Sequence, residues 1–204
     1  MRCVIIAGSP EKNFNTIAQA VSGCNLVICA DKGYSYAKLL GIKPDLTVGD
    51  FDSYSGELPG ENVVKLIPEK NDTDAAVCAQ IALEKGADDF VIVAATGGRF
   101  DHSYANLCLL EYLGEKGASA CLLGEHERIE LLKEGVYDLS QYEGKTFSLF
   151  PFGCSEATAT VRGCDYPVTD FRFTCNSTRG LSNICGSDCR AEVKNGKLLL
   201  VVNI

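Results

Sequence analysis

The sequence predicts an α/β protein with an all-β second part. An open, mostly parallel sheet domain is expected over residues 1–125, and a small antiparallel β-sandwich or barrel over residues 126–204. Three observations predict this. Up to about residue 125, short continuous apolar runs alternate with helix-length segments, the pattern of parallel strands covered on both faces. Beyond that point the runs become short and rich in Val, Thr, Phe and Tyr, with Gly, Asn and Asp between them. No internal repeat, low-complexity tract or long linker interrupts either rhythm.

Each element follows in order. "CVIIAG" reads as the first strand and "LVICAD" as the second, with a helix around "SYAKLLG". "LTVGD" and, after a Gly/Pro turn, "NVVKLI" are the next strands. "DTDAAVCAQIALEKG" reads as a helix with Ala76, Val77, Ile81 and Leu83 as its apolar positions and Gly86 as its stop. "FVIVAA" is a buried strand, "DHSYANLCLLEYLGEKG" a helix ending at Gly114 or Gly117, and "SACLLG" the last strand of the series. The second half offers "RIELLKEG", "VYDLS", "TFSLFPFG", "EATATVRG", "RAEVKNG" and "KLLLVVNI" as strands. Asn195-Gly196 carries the two-residue hairpin signature between the last two.

Composition excludes several classes. A net charge of −8 over 204 residues is wrong for a nucleic-acid surface, which needs a basic stripe. It is compatible with a nucleotide ligand, since a metal can stand between carboxylates and phosphates. No run approaches the roughly 18 apolar residues of a membrane span, and "MRCVIIAGSPEKNFN" is expected to be a first strand and not a leader. Eleven cysteines, most in apolar contexts and none spaced C-x-x-C, read as reduced core residues of a cytoplasmic protein. Cys185 and Cys189, in "CGSDC", are the pair to follow.

The polar residues of the first half fall at the carboxyl ends of the expected strands, where open α/β sheets bind ligands. Asp31 and Lys32 follow one strand, and Asp50 and Asp52 another. Lys70, Asp72, Thr73 and Asp74 precede a helix; Gly97, Gly98, Arg99, Asp101 and His102 follow "FVIVAA". Singly, each has a structural reading: Asp72 or Asp74 as a helix cap, Asp50 and Asp52 in an Asx turn, Gly97-Gly98 as a tight turn. Together they point to metal-supported phosphate chemistry. Clustered carboxylates are costly without a divalent cation, and Mg²⁺ prefers carboxylate and phosphate oxygens. Lys32, Lys70 and Arg99 would answer the remaining phosphate charge, and the glycine turn before a helix offers backbone N–H groups. Strand-like alternation predicts Asp50 and Asp52 on one side and Phe51 anchored on the other.

Four stretches, "ADKGYSYAKLLGIKPDLTVGDFDS", "PEKNDTDAAVCAQIAL", "TGGRFDHSYANLCLL" and "TRGLSN", resemble in order the motif series of the thiamine pyrophosphokinase family. The resemblance implies a Rossmann-like α/β domain for ATP and Mg²⁺, followed by a β-sandwich for thiamine, in a homodimer with active sites near the subunit interface. It implies transfer of the pyrophosphoryl group of ATP to the hydroxyl of thiamine, releasing AMP. By motif position, Asp31, Asp50, Asp52 and Asp74 look like the metal carboxylates. Lys32, Asp72, Thr73, Gly98, Arg99, His102 and Asn106 look like the nucleotide side, with Lys70 and Arg99 offsetting charge in transfer. Ser182 and Asn183 look like thiamine contacts, and Asp101 like the group that orients or deprotonates the hydroxyl. Two departures stand out: Lys32 where the family usually has glycine, and Ile184 where "SN" is usually followed by Glu. The competing readings are a non-catalytic nucleotide or thiamine sensor and an Asp-x-Asp phosphatase. The latter needs a later acidic pair at the same sheet edge, whereas Asp88-Asp89 precede their strand.

Overall fold

The apolar runs of the first half become six parallel strands. The computed structural model describes all residues except 12, 52–55, 57–59 and 68–71, and the chain divides into two compact units, Met1–Glu125 and His126–Ile204. In chain order the first unit holds β1 (Arg2–Ile6), α1 (Phe14–Val21), β2 (Leu26–Ala30), α2 (Gly33–Leu39), β3 (Leu46–Gly49) and β4 (Val63–Lys65). It continues with α3 (Asp74–Glu84), β5 (Asp89–Val93), α4 (Phe100–Glu115) and β6 (Ser119–Leu123). The strands lie in the order β6-β5-β1-β2-β3-β4, each neighbouring pair parallel.

Burial explains why these strands show no alternation. Cys3, Val4, Ile5 and Ile6 of β1 are all fully buried, as are Ile28 and Cys29 of β2 and Phe90, Ile92 and Val93 of β5. Val4, Ile6, Val91 and Val93 share one cluster with Ile17 of α1 and Ala37 of α2. The other side chains of the same strands are buried too, so helices cover both faces. Each such Ile or Val contributes about 1.5–3 kcal/mol of burial.

Helix α3 corrects one expectation. Its buried face is Ala75, Cys78, Ala79 and Ala82, and Ala76, Val77, Ile81 and Leu83 are only half-buried. The helix is apolar nearly all round, so periodicity alone could not select the packed side. Its start is set by Thr73, whose hydroxyl accepts the Ala76 N–H at 3.2 Å.

The second unit is antiparallel throughout its pairings. It contains β7 (Glu127–Leu132), β8 (Gly135–Asp138), β9 (Thr146–Pro151), β10 (Glu156–Cys164), β11 (Val168–Thr174), β12 (Asn183–Asn195) and β13 (Leu198–Asn203). Strand β13 lies between β7 and β9 in one layer, and β10 lies between β11 and β12 in the other, with β8 on the far edge of β12. The first residues of β12, Asn183 and Ile184, pair instead with β9, so this one strand serves both layers. Phe147, Leu149, Leu198 and Leu200 of one layer pack with Ala157, Ala159, Cys189 and Ala191 of the other.

Two readings of this half change. Strand β11 and the start of β12 were not legible as strands, because "VTDFRFT" and "NICGSDC" mix charge, cysteine and glycine. The Asn195-Gly196 turn is not a hairpin: among the described residues β12 pairs with β8, β9 and β10, whereas β13 pairs with β7 and β9. The turn therefore carries the chain from one layer to the other. Gly196, at φ 78°, is needed there because a Cβ would sit 2.6 Å from the Glu156 carbonyl oxygen.

All eleven thiols are free, and Cys185 and Cys189 are among the six that are buried. Burial pushes both of these thiols up, and among the described residues no metal-holding cluster includes them. No helix among the described residues is long and apolar enough to cross a membrane.

Candidate active site

Strand β1 runs to β2 on one side and lies against β5 on the other, so the sheet order reverses between β1 and β5. That reversal opens a crevice at the carboxyl ends of the strands. A cleft of about 870 Å³ occupies it. It is lined by the turn Ala7–Pro10 after β1 and by Gly97–Arg99 after β5. The two turns touch: a Cβ on Gly98 would lie 2.7 Å from Pro10 Cδ. The first turn is pinned from several sides. Ser9 N donates to the Ala94 carbonyl at 2.9 Å, and the Tyr36 hydroxyl on α2 donates to the Ser9 carbonyl at 2.9 Å.

Into this cleft the strand ends deliver Asp31 and Lys32 from β2 and Asp50 from β3, while Thr73 and Asp74 come from the start of α3. His102 and Asn106 come from one face of α4. Asn106 is buried, and its amide donates to the Ala95 carbonyl at 2.7 Å, which ties α4 to the end of β5. Three non-glycine residues at these strand ends have left-handed backbones: Asp31 at φ 42°, Phe51 at 59° and Ala94 at 50°. Such residues cost about 1–3 kcal/mol each and concentrate where a chain is held for function. The left-handed Phe51 also ends the strand-like alternation expected around Asp50, although Phe51 is buried as expected.

Gly33 and Gly49 make the β2 end possible. A Cβ at Gly33 would lie 1.9 Å from the Ile6 carbonyl oxygen, and one at Gly49 would lie 3.0 Å from Asp31 Cα. Lys32, by contrast, has an ordinary right-handed backbone, φ −58°. Nothing in the local fold requires glycine at that position.

Asp72 and Asp101 lie outside the cleft lining. Asp72 is exposed and accepts from Gln80 Nε2 at 3.1 Å. Asp101 sits in the first turn of α4, outside the cleft lining, in a two-point pair with Arg99 at 3.1 and 2.5 Å. Asp52 and Lys70 lie outside the described residues. Among the described residues no three His, Cys, Asp or Glu side chains converge on one metal position. Asp31, Asp50 and Asp74 nevertheless line one cleft with Lys32, Arg99 and His102. That donor set fits Mg²⁺, which is held by one or two carboxylates together with phosphate oxygens and water.

The Arg99 hydrogen bonds hold the Asp101 carboxyl below its ordinary value of 3.8. A carboxylate stabilised in this way is a poor proton acceptor, so the geometry favours orienting over deprotonation. Its charge contributes at all pH above the ordinary value and is lost only as pH falls through the depressed one. Arg99→Met should return the Asp101 titration, followed by side-chain carboxyl NMR, toward 3.8. An unmoved titration would break the assignment of cause.

The second unit has its own cavity, of about 530 Å³, walled by Phe147, Phe171 and Phe173 and containing Ser182 and Asn183. Sequence reading missed two parts of these sites. The Gly8–Pro10 turn was taken only as the end of a strand, although a glycine at the end of the first strand was the available signal. Tyr166, Phe171 and Arg179 of the second cavity carried no local signal, because β11 was itself unrecognised.

Asp88 and Asp89 lie at the amino end of β5, opposite the cleft, and Asp88 takes an ion pair from the chain's terminal ammonium. The acidic pair of an Asp-x-Asp phosphatase is therefore not supplied by these residues.

An open parallel sheet with carboxylates, cations and a glycine turn at its switch point defines a phosphoryl-transfer enzyme of the α/β class. Comparison with known proteins narrows this class. The family model described as thiamin pyrophosphokinase, catalytic domain, matches residues 17–122, and that of the thiamin pyrophosphokinase vitamin B1 binding domain matches residues 133–200. The chain is 32% identical to a Bacillus subtilis thiamine pyrophosphokinase over 188 residues, 88% of this chain and 87% of that protein. The crystal structure of a Bacillus subtilis thiamine pyrophosphokinase superposes with a TM-score of 0.88 at 26% identity, covering 100% of this chain and 99% of the other. The yeast enzyme shares the fold at a TM-score of 0.77 and 16% identity, covering 100% of this chain and 86% of its own. The chain belongs to the thiamin pyrophosphokinase family.

Proposed function

We propose that the β1/β5 cleft holds ATP and that the cavity of the second unit holds thiamine, in an enzyme that transfers a pyrophosphoryl group between them. The reaction is ATP-dependent pyrophosphorylation of thiamine to thiamine diphosphate. The observation that carries the site assignment is the gathering of Asp31, Asp50 and Asp74 with Lys32, Arg99 and His102 in one crevice. The thiamine hydroxyl oxygen attacks the β-phosphorus, the bond from that phosphorus to the oxygen of the AMP portion breaks, and the hydroxyl proton is released.

In this reading Asp31, Asp50 and Asp74, with Asp52, hold Mg²⁺. The ion would neutralise phosphate charge and orient the chain of phosphates. The protein's own groups position and stabilise. The Gly97-Gly98 turn, two residues after the Ala95 carbonyl that accepts from Asn106, offers backbone N–H groups near the start of α4. Lys32, Arg99 and Lys70 offset the charge shifting toward AMP, and His102 and Thr73 border the nucleotide. The Lys32 ammonium meets a phosphate, and its ordinary φ lets it stand there without strain. Asp101 orients the attacking hydroxyl. The same reading includes a homodimer, which the resemblance implies, and a cytoplasmic location, supported by eleven free thiols.

The test is AMP release by the full chain with Mg²⁺ and ATP, with and without thiamine. AMP formed only with thiamine is the expected result. Phosphate release without thiamine would favour a phosphatase, and binding of both substrates without AMP would favour a sensor.

A further inference from the structure

Asn183, expected as a direct substrate contact, is half-buried, and its side-chain amide is engaged by the protein itself. Its Oδ1 accepts from Tyr166 N at 3.0 Å and from Ile184 N at 2.9 Å. Its Nδ2 donates to the Tyr166 carbonyl at 2.9 Å and contacts Cys164 Sγ at 3.3 Å. An amide has two donor hydrogens and an oxygen with two lone pairs, so these four contacts use its capacity. Asn183 therefore clamps both backbone groups of Tyr166. A fifth bond draws in the preceding residue: Asp165 N donates to the Ile184 carbonyl at 3.2 Å.

The exposed turn Asp165, Tyr166 and Pro167 lines the second-unit cavity together with Phe147, Phe171 and Phe173. Among the described residues, Asp165 is the only carboxylate lining that cavity. Arg179 is the only cation there, and it stacks over the Phe171 ring at 4.9 Å. Among the described residues no hydrogen bond or ion pair engages the Asp165 carboxylate. An aromatic-walled cavity with one uncommitted carboxylate selects a flat ring that carries positive charge.

We propose that Asp165 is the charge-selecting residue for the cationic ring of the substrate, and that Asn183 is the positioning residue that holds it at the cavity wall. This rests on the assignment of thiamine to that cavity. The test is calorimetric titration of the full chain, with Mg²⁺ and a non-transferable ATP analogue present, using two ligands. One is thiamine; the other is an analogue whose thiazolium is replaced by an uncharged thiophene. Asp165→Asn should weaken thiamine about five- to tenfold, as an accessible ion pair allows, and leave the analogue within about twofold. Asn183→Ala should lose the same discrimination in the wild-type background and add no further loss of discrimination to Asp165→Asn. If Asn183→Ala does not fold, Asn183→Asp is scored in the same way, since its carboxylate cannot donate to the Tyr166 carbonyl. Equal weakening of both ligands, or of neither, by Asp165→Asn overturns the charge-selecting role. Additive losses of discrimination overturn the positioning role. Wild-type protein that binds neither ligand overturns the thiamine assignment itself, and this proposal with it.

Discussion

Asp31→Asn and Asp50→Asn should each lower turnover about 10²–10³-fold, with a raised Mg²⁺ requirement, while leaving the fold intact. Each change removes one negative charge from the cleft at nearly constant volume. Lys32 and Arg99 of the cleft lining are untouched, so ATP should still bind, and the loss should fall more on kcat than on KM for ATP. Asp31 has φ 42°, a conformation that Asn tolerates as well as Asp does, so the amide introduces no new backbone strain. The measurement is AMP release against Mg²⁺ concentration, with thermal melts as the control for folding. Near-normal turnover of Asp50→Asn at limiting Mg²⁺ would remove that carboxylate from the metal site.

Gly33→Ala should destabilise the first unit by about 3 kcal/mol or more, which is about 6–12 °C in melting temperature for a chain of this size. The cause is space and not backbone freedom. The added methyl carbon would meet the Ile6 carbonyl oxygen at 1.9 Å, the Ile6 carbonyl carbon at 2.7 Å and the Ala7 oxygen at 2.8 Å. All three are backbone atoms at the end of β1, between β2 and β5, where the sheet cannot yield without loosening its ladders. Activity should fall with stability, because the Ala7–Pro10 turn that lines the cleft begins at those atoms. Lys32→Gly, one residue earlier, is the contrasting control and should melt within about 2 °C of wild type, as surface changes usually do. A melting temperature unchanged by Gly33→Ala would refute the close approach.

Much of the first unit was legible because its physics is local. Strands covered on both faces must be apolar at every position, and "CVII", "LVICA" and "FVIV" are. Open α/β sheets bind ligands at the carboxyl ends of such strands, so the sequence places Asp31, Asp50 and Arg99 at that edge, where they line one cleft. Where two local signals agree with more than one fold, reading failed. The packed side of α3 was misplaced because alanines and a cysteine fill the buried face while larger residues lie beside it. The Asn195-Gly196 turn reverses the chain as its residues require, yet the strand after it joins the other layer. Asn183 shows the same limit at a single side chain: its motif marks it as important, but only the fold shows all four of its contacts turned inward.

The sequence by itself determined the class of the first domain, the residues available at its strand ends, the need for glycine in the Gly97-Gly98 turn and the family resemblance. These depend on periodicity, turn chemistry and residue type within short spans. Only the tertiary structure decided which strands are neighbours, that the turns after β1 and β5 line one cleft, and that Asp165, whose backbone bonds Ile184, lines the second cavity. Those are pairings between distant segments. They are selected by which surfaces bury each other best, and that free energy is summed over the whole core and not written at any one position.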